Sequence, residues 1–191
     1  MKTDKNLIDC EIKNKDFSSQ NLNERTYDNC VFINCDFTES NLGKTKFLEC
    51  TFKECNFSNS NLIETAMPEV EFDKCKLLGL DFSKCNKTIL NLKFSECKIG
   101  HCNFQGLKLK KTSFLSSEVL NCDFYQTNLE AANFEGTDLE GTIFENTNIS
   151  KASFINSRNY SIDLKLNNVK MAKFSQPEAL RLLKFFDVII H

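Results

Sequence analysis

The sequence predicts a solenoid in which every five residues form one short side and one turn. Large apolar residues occupy every fifth position from Leu7 to Phe82, and the same spacing continues from Ile89 to Phe154. Sixteen of the 18 Phe share this phase, fifteen within the two runs and Phe174 beyond them. A period of five matches neither the 3.6-residue period of an α-helix nor the two-residue alternation of a flat strand. The longer step from Phe82 to Ile89 indicates a two-residue insertion near Lys84–Thr88.

All ten Cys lie at a second position of the pattern, two residues before a repeat centre, with Lys87 standing at that centre for Cys85 in the register before the insertion. Thr, Ser and Ala fill this position elsewhere, so we interpret the Cys as slim buried side chains. A metal or redox role is the alternative, but the chain has no CxxC pair and only two His, which leaves little material for a ligand set. We expect His101 to lie in a surface turn. No apolar run of signal-peptide length follows Met1, so we expect a cytoplasmic protein with reduced thiols.

This pattern resembles the pentapeptide-repeat family, whose motif is A(D/N)LXX. Cys35-Asp36-Phe37 and Ala132-Asn133-Phe134 are typical copies, and the resemblance covers about residues 7 to 174. It implies an all-β fold, a right-handed quadrilateral parallel β-helix of about 7–8 coils with four pentads in each. Residues i and i+20 then lie above each other, about 4.8 Å apart. We assign residues 1–174 to this domain.

This register predicts two internal ladders of stacked rings on opposite sides of the coil. They consist of Phe94, Phe114, Phe134 and Phe154, and of Phe104, Phe124 and Phe144. The pattern loses its phase at Asn159, after which Leu164, Val169 and Phe174 predict one residual coil.

Residues 175–191 predict a C-terminal helix and tail. Ser175-Gln176-Pro177-Glu178 has the form of a capping box, and a short helix is expected from Glu178 to about Phe186. One side of it carries Ala179, Leu180, Leu183 and Phe186. A possible strand follows at residues 187–190. Because a solenoid needs a covered end, part of this apolar tail is expected to form a cap.

The rest of the tail predicts a two-fold dimer contact, because Leu182, Phe185 and the terminal Val/Ile run look surplus to a cap. This ending resembles that of Qnr-like pentapeptide-repeat proteins, whose members dimerise tail to tail. The predicted dimerisation residues are Leu180, Leu182, Leu183, Phe185, Phe186, Val188, Ile189 and Ile190.

The net charge of −2 hides four segments of alternating sign. Residues 1–83 and 112–150 are acidic, whereas residues 84–111 and 151–191 are basic. The segment 112–150 has seven acidic residues and no Lys or Arg, which makes a strong local field. We expect its carboxylates to point outward and to form the partner-binding surface: Glu118, Asp123, Glu130, Glu135, Asp138, Glu140 and Glu145.

A rod with outward carboxylates resembles duplex DNA in shape and charge. Two rods joined end to end span roughly 75 Å, about 22 base pairs. The Qnr-like resemblance implies a protein that binds DNA gyrase or topoisomerase IV and protects it from quinolones or toxins. The alternative is a pentapeptide-repeat scaffold that binds a non-topoisomerase partner.

Other function classes have little support in the sequence. No enzyme motif is present, and neither a cofactor, a metal nor a membrane segment is expected. Direct nucleic-acid binding through the basic segment 84–111 is a third candidate, but it is not expected because the acidic segment follows immediately.

Overall fold

The computed structural model describes residues 6–186 and 188, which form a right-handed four-sided parallel β-helix of about eight coils and one short C-terminal helix. Its strands are short because each side of the coil has only five residues. The strands are β1 (Asn6–Ile8), β2 (Glu11–Lys13), β3 (Thr26–Asp28), β4 (Val31–Ile33), β5 (Lys46–Leu48), β6 (Thr51–Lys53), β7 (Met67–Asp73), β8 (Lys76–Leu78), β9 (Leu90–Ser95), β10 (Lys98–Gly100), β11 (Ser113–Leu115), β12 (Glu118–Leu120), β13 (Ser153–Phe154) and β14 (Lys173–Phe174). Three 3₁₀ helices span Phe82–Lys84, Lys87–Ile89 and Glu178–Phe186.

Strands of successive coils pair in parallel, and the predicted register of four pentads per coil is confirmed, as where Leu7 pairs with Tyr27 and Tyr27 with Phe47. The four sides are named here by the inward residues that stack along them. Face 1 carries Leu7, Tyr27, Phe47, Met67, Leu109, Leu129, Ile149 and Val169; face 2 carries Ile12, Phe32, Phe52, Phe72, Phe94, Phe114, Phe134, Phe154 and Phe174; face 3 carries Phe17, Phe37, Phe57, Leu77, Ile99, Val119 and Leu139; face 4 carries Leu22, Leu42, Leu62, Phe82, Phe104, Phe124, Phe144 and Ile162. Faces 1 and 3 lie on opposite sides of the core, as do faces 2 and 4.

The two predicted Phe ladders are confirmed. On face 2, the ring of Phe114 stacks between those of Phe94 and Phe134, at centroid distances of 5.0 and 4.8 Å. On face 4, the rings of Phe104 and Phe124 stack at 4.8 Å. Rings of the two ladders meet edge to face across the core, a geometry that adds to the stabilisation from burial.

The slim residues at the corners bind successive coils together. The hydroxyl of Thr137 donates to the carbonyl of Phe114 in the preceding coil at 2.8 Å, and the thiol of Cys50 donates in the same way to Tyr27. All ten Cys are free thiols, and nine are buried as predicted. Burial raises the pKa of Cys50 to about 12, so this thiol stays protonated at neutral pH. The interpretation as small apolar fillers was therefore incomplete, because the corner side chains are also hydrogen-bond donors.

The turns adopt the left-handed conformation, mostly at the second residue after a repeat centre. Asn and Glu each take this position more often than Gly does, although it costs about 1–2 kcal/mol for a residue with a Cβ. Hydrogen bonds offset the cost, as when Asn14 N–H donates to the Ile33 carbonyl of the next coil. His101 is one of these exposed turn residues, as predicted.

Two irregularities interrupt the register. The predicted insertion is confirmed, because the partner of Phe72 is Phe94, slightly more than one regular coil further on, and the extra residues form the turn Lys87–Ile89. A contraction was not predicted: the partner of Phe144 is Ile162, which lies slightly less than one regular coil further on. Ile162 thus takes the buried place expected for Leu164, which is only partly buried.

The C-terminal helix lies where the sequence places it, but its capping box does not form. Instead, Ser175 Oγ accepts the N–H of Asn156 at 2.8 Å, and Glu178 Oε1 accepts that of Asn159 at 2.7 Å. In the regular coils the N–H at this position donates to a backbone carbonyl of the next coil. Ser175 and Glu178 lie 19 residues after Asn156 and Asn159, which is the separation at which the regular coils provide that carbonyl. Their side chains therefore take the place of the missing next coil.

Candidate protein-interaction surface

Five of the seven predicted carboxylates lie on faces 3 and 4. Glu118 and Asp138 are neighbours in one outward column of face 3, and Glu140 lies two residues further along that face. On face 4, the column of Asp123 continues to Ile143, with Glu145 beside it. The coil register thus brings together carboxylates that are far apart in the sequence.

Glu130 lies on the opposite side of the molecule. It projects from face 1, where its carboxylate bridges Lys110 Nζ and Lys151 Nζ, each at 2.9 Å. Hydrogen bonds from these two ammonium groups lower the pKa of Glu130 to about 2. Glu130 therefore binds coils together and contributes little to the acidic surface. Glu135 is exposed on face 2, next to Phe134.

Asp138 is also engaged within the chain. Arg158 Nε donates to Asp138 Oδ2 and Asn159 Nδ2 donates to Oδ1, each at 2.9 Å. Burial acts to raise the pKa of Asp138, but these hydrogen bonds outweigh it and leave the pKa below its usual range. Of the five predicted carboxylates on faces 3 and 4, Glu118, Asp123, Glu140 and Glu145 carry no ion pair with a described residue, and only Asp138 does.

A second candidate surface is apolar and lies at the C-terminal end. The side chains of Leu180, Leu183, Phe186 and Val188 are exposed there. Leu182 was expected to be surplus to the cap, and this was wrong: it is only 9% exposed and joins the core. The C-terminal helix therefore faces the end of the solenoid with the side that carries Leu182. Phe185 is half-buried, and Ile189 and Ile190 lie outside the described residues.

A shallow cavity of about 290 Å³ joins these two surfaces. It is lined by Ile143 and Leu166, by Phe185 of the helix, and by the carboxylates Glu145 and Asp163. Its lining is thus part apolar and part acidic, like the two surfaces that it joins.

The sequence analysis missed a basic surface. The outward positions of face 1 carry five Lys in the last four coils: Lys108, Lys110, Lys111, Lys151 and Lys170. Segment charges could not reveal this surface, because three of these Lys come from one basic segment and two from the other. A count along positions one coil apart would have found it.

The described residues provide neither a metal-binding cluster nor a membrane-spanning helix. Within residues 6–186, no group of three or more His, Cys, Asp or Glu is placed to bind a metal ion. Over the same part of the chain, no helix is long and apolar enough to cross a membrane.

Solved structures share this fold at low sequence identity. A trypsin-treated point variant of QnrB1, described as a plasmid-mediated fluoroquinolone resistance protein, matches with a TM-score of 0.67 and 16% identity over 97% of this chain and 98% of that one. A second trypsin-treated point variant of QnrB1 matches with a TM-score of 0.61 and 18% identity over 97% of each chain. At these identities the similarity establishes the fold alone.

A comparison with curated protein sequences finds no match. A family model, in contrast, identifies the family of this chain. The family model described as "Pentapeptide repeat region" matches residues 25–92 and 86–154, which is more than half of the chain. Together with the five-residue period and the four-sided coil, this shows that the chain belongs to the pentapeptide-repeat family.

Proposed function

We propose that this protein is a DNA mimic that binds a type II topoisomerase, DNA gyrase or topoisomerase IV, and protects it from quinolones or toxins. The observation that carries the proposal is the set of carboxylates on faces 3 and 4 of a straight rod, namely Glu118, Asp123, Glu140 and Glu145. Their spacing follows the coil rise of about 4.8 Å. The resistance role given for QnrB1, whose fold is similar, supports the same conclusion.

The proposed mechanism is electrostatic and requires no reaction by this chain. A topoisomerase holds duplex DNA in a groove of positive potential, and an acidic rod of similar width competes for that groove. Occupying the groove shortens the time for which the enzyme holds the drug-sensitive DNA complex. The protein is then a cytoplasmic binding protein and not an enzyme.

We further propose that two copies join tail to tail through the exposed apolar side chains of the C-terminal end. Leu180, Leu183, Phe186 and Val188 form the contact in this arrangement. Light scattering should then give twice the mass of the chain. Leu183→Asp should return the protein to a monomer, whereas Ile63→Asp, at an exposed apolar residue far from this end, should leave the mass unchanged. A monomeric wild-type protein would contradict the arrangement.

The function is tested by DNA supercoiling with gyrase and ciprofloxacin, with and without the protein. The proposal expects supercoiling to persist at drug concentrations that stop the enzyme alone. The variant Glu118→Gln/Glu140→Gln/Glu145→Gln should lose this protection. The matched control, Glu49→Gln/Glu54→Gln/Glu69→Gln, removes the same charge from faces 1 and 2 in the N-terminal coils and should keep it.

Failure of the wild-type protein to protect either enzyme would overturn the proposal. The alternative of a scaffold with a non-topoisomerase partner would then be favoured if the same face 3 and 4 variant abolished capture of one other protein. Equal loss in both triple variants would show that net charge, and not these faces, is responsible.

A further inference from the structure

The basic surface of face 1 is built from residues of several successive coils. Lys110, Glu130 and Lys170 lie in one outward column, and Lys111 and Lys151 lie in the next. Lys108 begins a third column, which continues as a ladder of hydrogen-bonded amides through Asn128, Asn148 and Asn168. Three coil steps of about 4.8 Å make this surface about 15 Å long.

Its charge is only partly neutralised. Glu130 is the one carboxylate among these columns of described residues, and it pairs with Lys110 and Lys151. Lys108, Lys111 and Lys170 make no ion pair with any described residue. Five ammonium groups against one carboxylate leave a strongly positive surface.

The acidic segment does not cancel this field, although it follows the first three Lys directly in sequence. The coil sends Glu118, Asp138 and Glu140 to face 3, on the far side of the hydrophobic core, and divides Asp123, Glu145 and Glu135 between the two bordering faces, 4 and 2. Salt screens charges that are separated through solvent by more than about 8–10 Å. The reason for discounting nucleic acid at the level of sequence therefore does not hold for the folded chain.

The shape of the surface selects the class of ligand. The positions between the Lys are filled by Ala131, Ser150 and the amide ladder, and the described residues of this surface include no exposed aromatic ring on which an unpaired base could stack. Lys side chains are mobile point charges that suit phosphate oxygens without reading base edges. Several of them distributed along successive coils suit the backbone of a double helix, which carries one negative charge per about 1.7 Å of its axis.

We propose that the Lys108–Lys170 surface of face 1 binds the phosphate backbone of duplex DNA without sequence preference. This inference is independent of the topoisomerase proposal, since it concerns other residues on another face and needs no enzyme. A protein with both properties would present the carboxylates of faces 3 and 4 to a protein partner and the Lys side chains of face 1 to DNA.

The test is fluorescence anisotropy of a labelled 20-base-pair DNA duplex titrated with the full chain. Binding is expected at 50 mM salt. With about four phosphates neutralised, raising the salt to 200 mM should weaken it by about 100-fold. A single strand of the same length should bind more weakly, because the surface offers no stacking platform.

The variant Lys108→Gln/Lys111→Gln/Lys170→Gln should weaken duplex binding at least about tenfold at 50 mM salt and reduce the salt dependence by about three phosphate equivalents. The matched control, Lys53→Gln/Lys76→Gln/Lys98→Gln, removes three exposed Lys of faces 2 and 3 and should bind like wild type. Both variants should keep the wild-type melting temperature, since all six side chains are exposed.

Three results would each overturn the inference. They are no duplex binding at 50 mM salt, equal losses in the two triple variants, and binding of poly-glutamate as tight as that of the duplex, which would identify an acidic polypeptide as the ligand instead. The supercoiling assay is separate, so either proposal can fail without the other.

Discussion

The two ends of this solenoid are built from the same repeat but terminate differently. At the N-terminal end, the centres of the first coil, Leu7, Ile12 and Phe17, are only half-buried, and nothing within residues 6–186 covers them. At the C-terminal end, the centres of the last coil, Leu164, Val169 and Phe174, are also only partly buried, but Leu182 of the helix is buried with the core.

The difference lies in what takes the place of the missing next coil. Ser175 and Glu178 supply side-chain oxygens at the C-terminal end where a backbone carbonyl would otherwise stand. Asn167, by contrast, continues the corner hydrogen bonds of the regular coils, donating to the carbonyl of Phe144 and accepting the N–H of Thr147. A solenoid end is therefore closed by side chains that imitate the backbone, and we expect the two ends to differ in stability.

The largest effect should come from removing a fully buried ring of the second-last coil, compared with a half-buried ring of the first coil. Phe154→Ala should lower the free energy of unfolding by about 3–5 kcal/mol, because the ring is buried and stacks on both Phe134 and Phe174. Phe17→Ala should cost clearly less, since its ring stacks on one side only, with Phe37. Urea denaturation of both variants measures the difference, and equal losses would contradict the comparison.

Truncating the residue that covers the C-terminal end should have the next largest effect. Leu182→Ala should cost about 2 kcal/mol, at the low end for a buried Leu because this side chain lies at the margin of the core. Amide exchange should accelerate in the last two coils and stay unchanged in the first two. Uniform acceleration along the chain would mean that the ends are not independent.

The imitation of the backbone by Ser175 can be tested alone. Ser175→Ala leaves the N–H of Asn156 without its acceptor and should cost about 1 kcal/mol. Ser95→Ala is the control, because no hydrogen bond of its hydroxyl is found in the described chain. A null effect of Ser175→Ala in thermal unfolding would show that water replaces the acceptor at no cost.

Acid should weaken the coils that lead to the C-terminal end through Glu130. Its pKa is about 2 in the fold and about 4.3 in an unfolded chain, so its contribution is fully present above about pH 4.3 and is lost as the pH falls towards 2. The difference in melting temperature between wild type and Glu130→Gln should shrink over this range. A difference independent of pH would exclude the ion pairs as its cause.

The smallest effect concerns a buried hydroxyl at the C-terminal end. Tyr160 is 1% exposed and its hydroxyl has no hydrogen-bond partner among the described residues. Burial raises the pKa of this phenol to about 12. Tyr160→Phe should leave the melting temperature unchanged or slightly higher, because an unpaired buried hydroxyl stabilises nothing. A clear loss of stability would reveal a partner for the hydroxyl.

The repeat could be predicted from the sequence because one physical requirement recurs at each coil. A large apolar side chain that recurs every five residues must be buried in the centre of the coil. The Phe ladders and the insertion after Phe82 could therefore be predicted directly. Irregular parts follow no such rule. Nothing in the sequence distinguishes Ile162 from Leu164 as the buried residue after the contraction, or Leu182 from Leu183 as the cap.

The candidate surfaces were predicted in part. The outward direction of Glu118, Asp138 and Glu140 followed from the register. The pairing of Glu130 with two Lys did not, because it depends on the reach of long side chains across the coils above and below. Charge counted along the chain averages over all four faces, and so it concealed the separation of acid from base.

The coil register also constrains how such a chain can change length. Duplicating one full coil keeps every later residue on its own face and only lengthens the rod. Adding or deleting a single pentad rotates everything downstream by one face, which would carry the carboxylates of face 3 and the Lys of face 1 to new sides. The extra residues near Lys87 avoid this outcome because they are extruded as a turn, so length variation within this architecture should occur in whole coils or in loops.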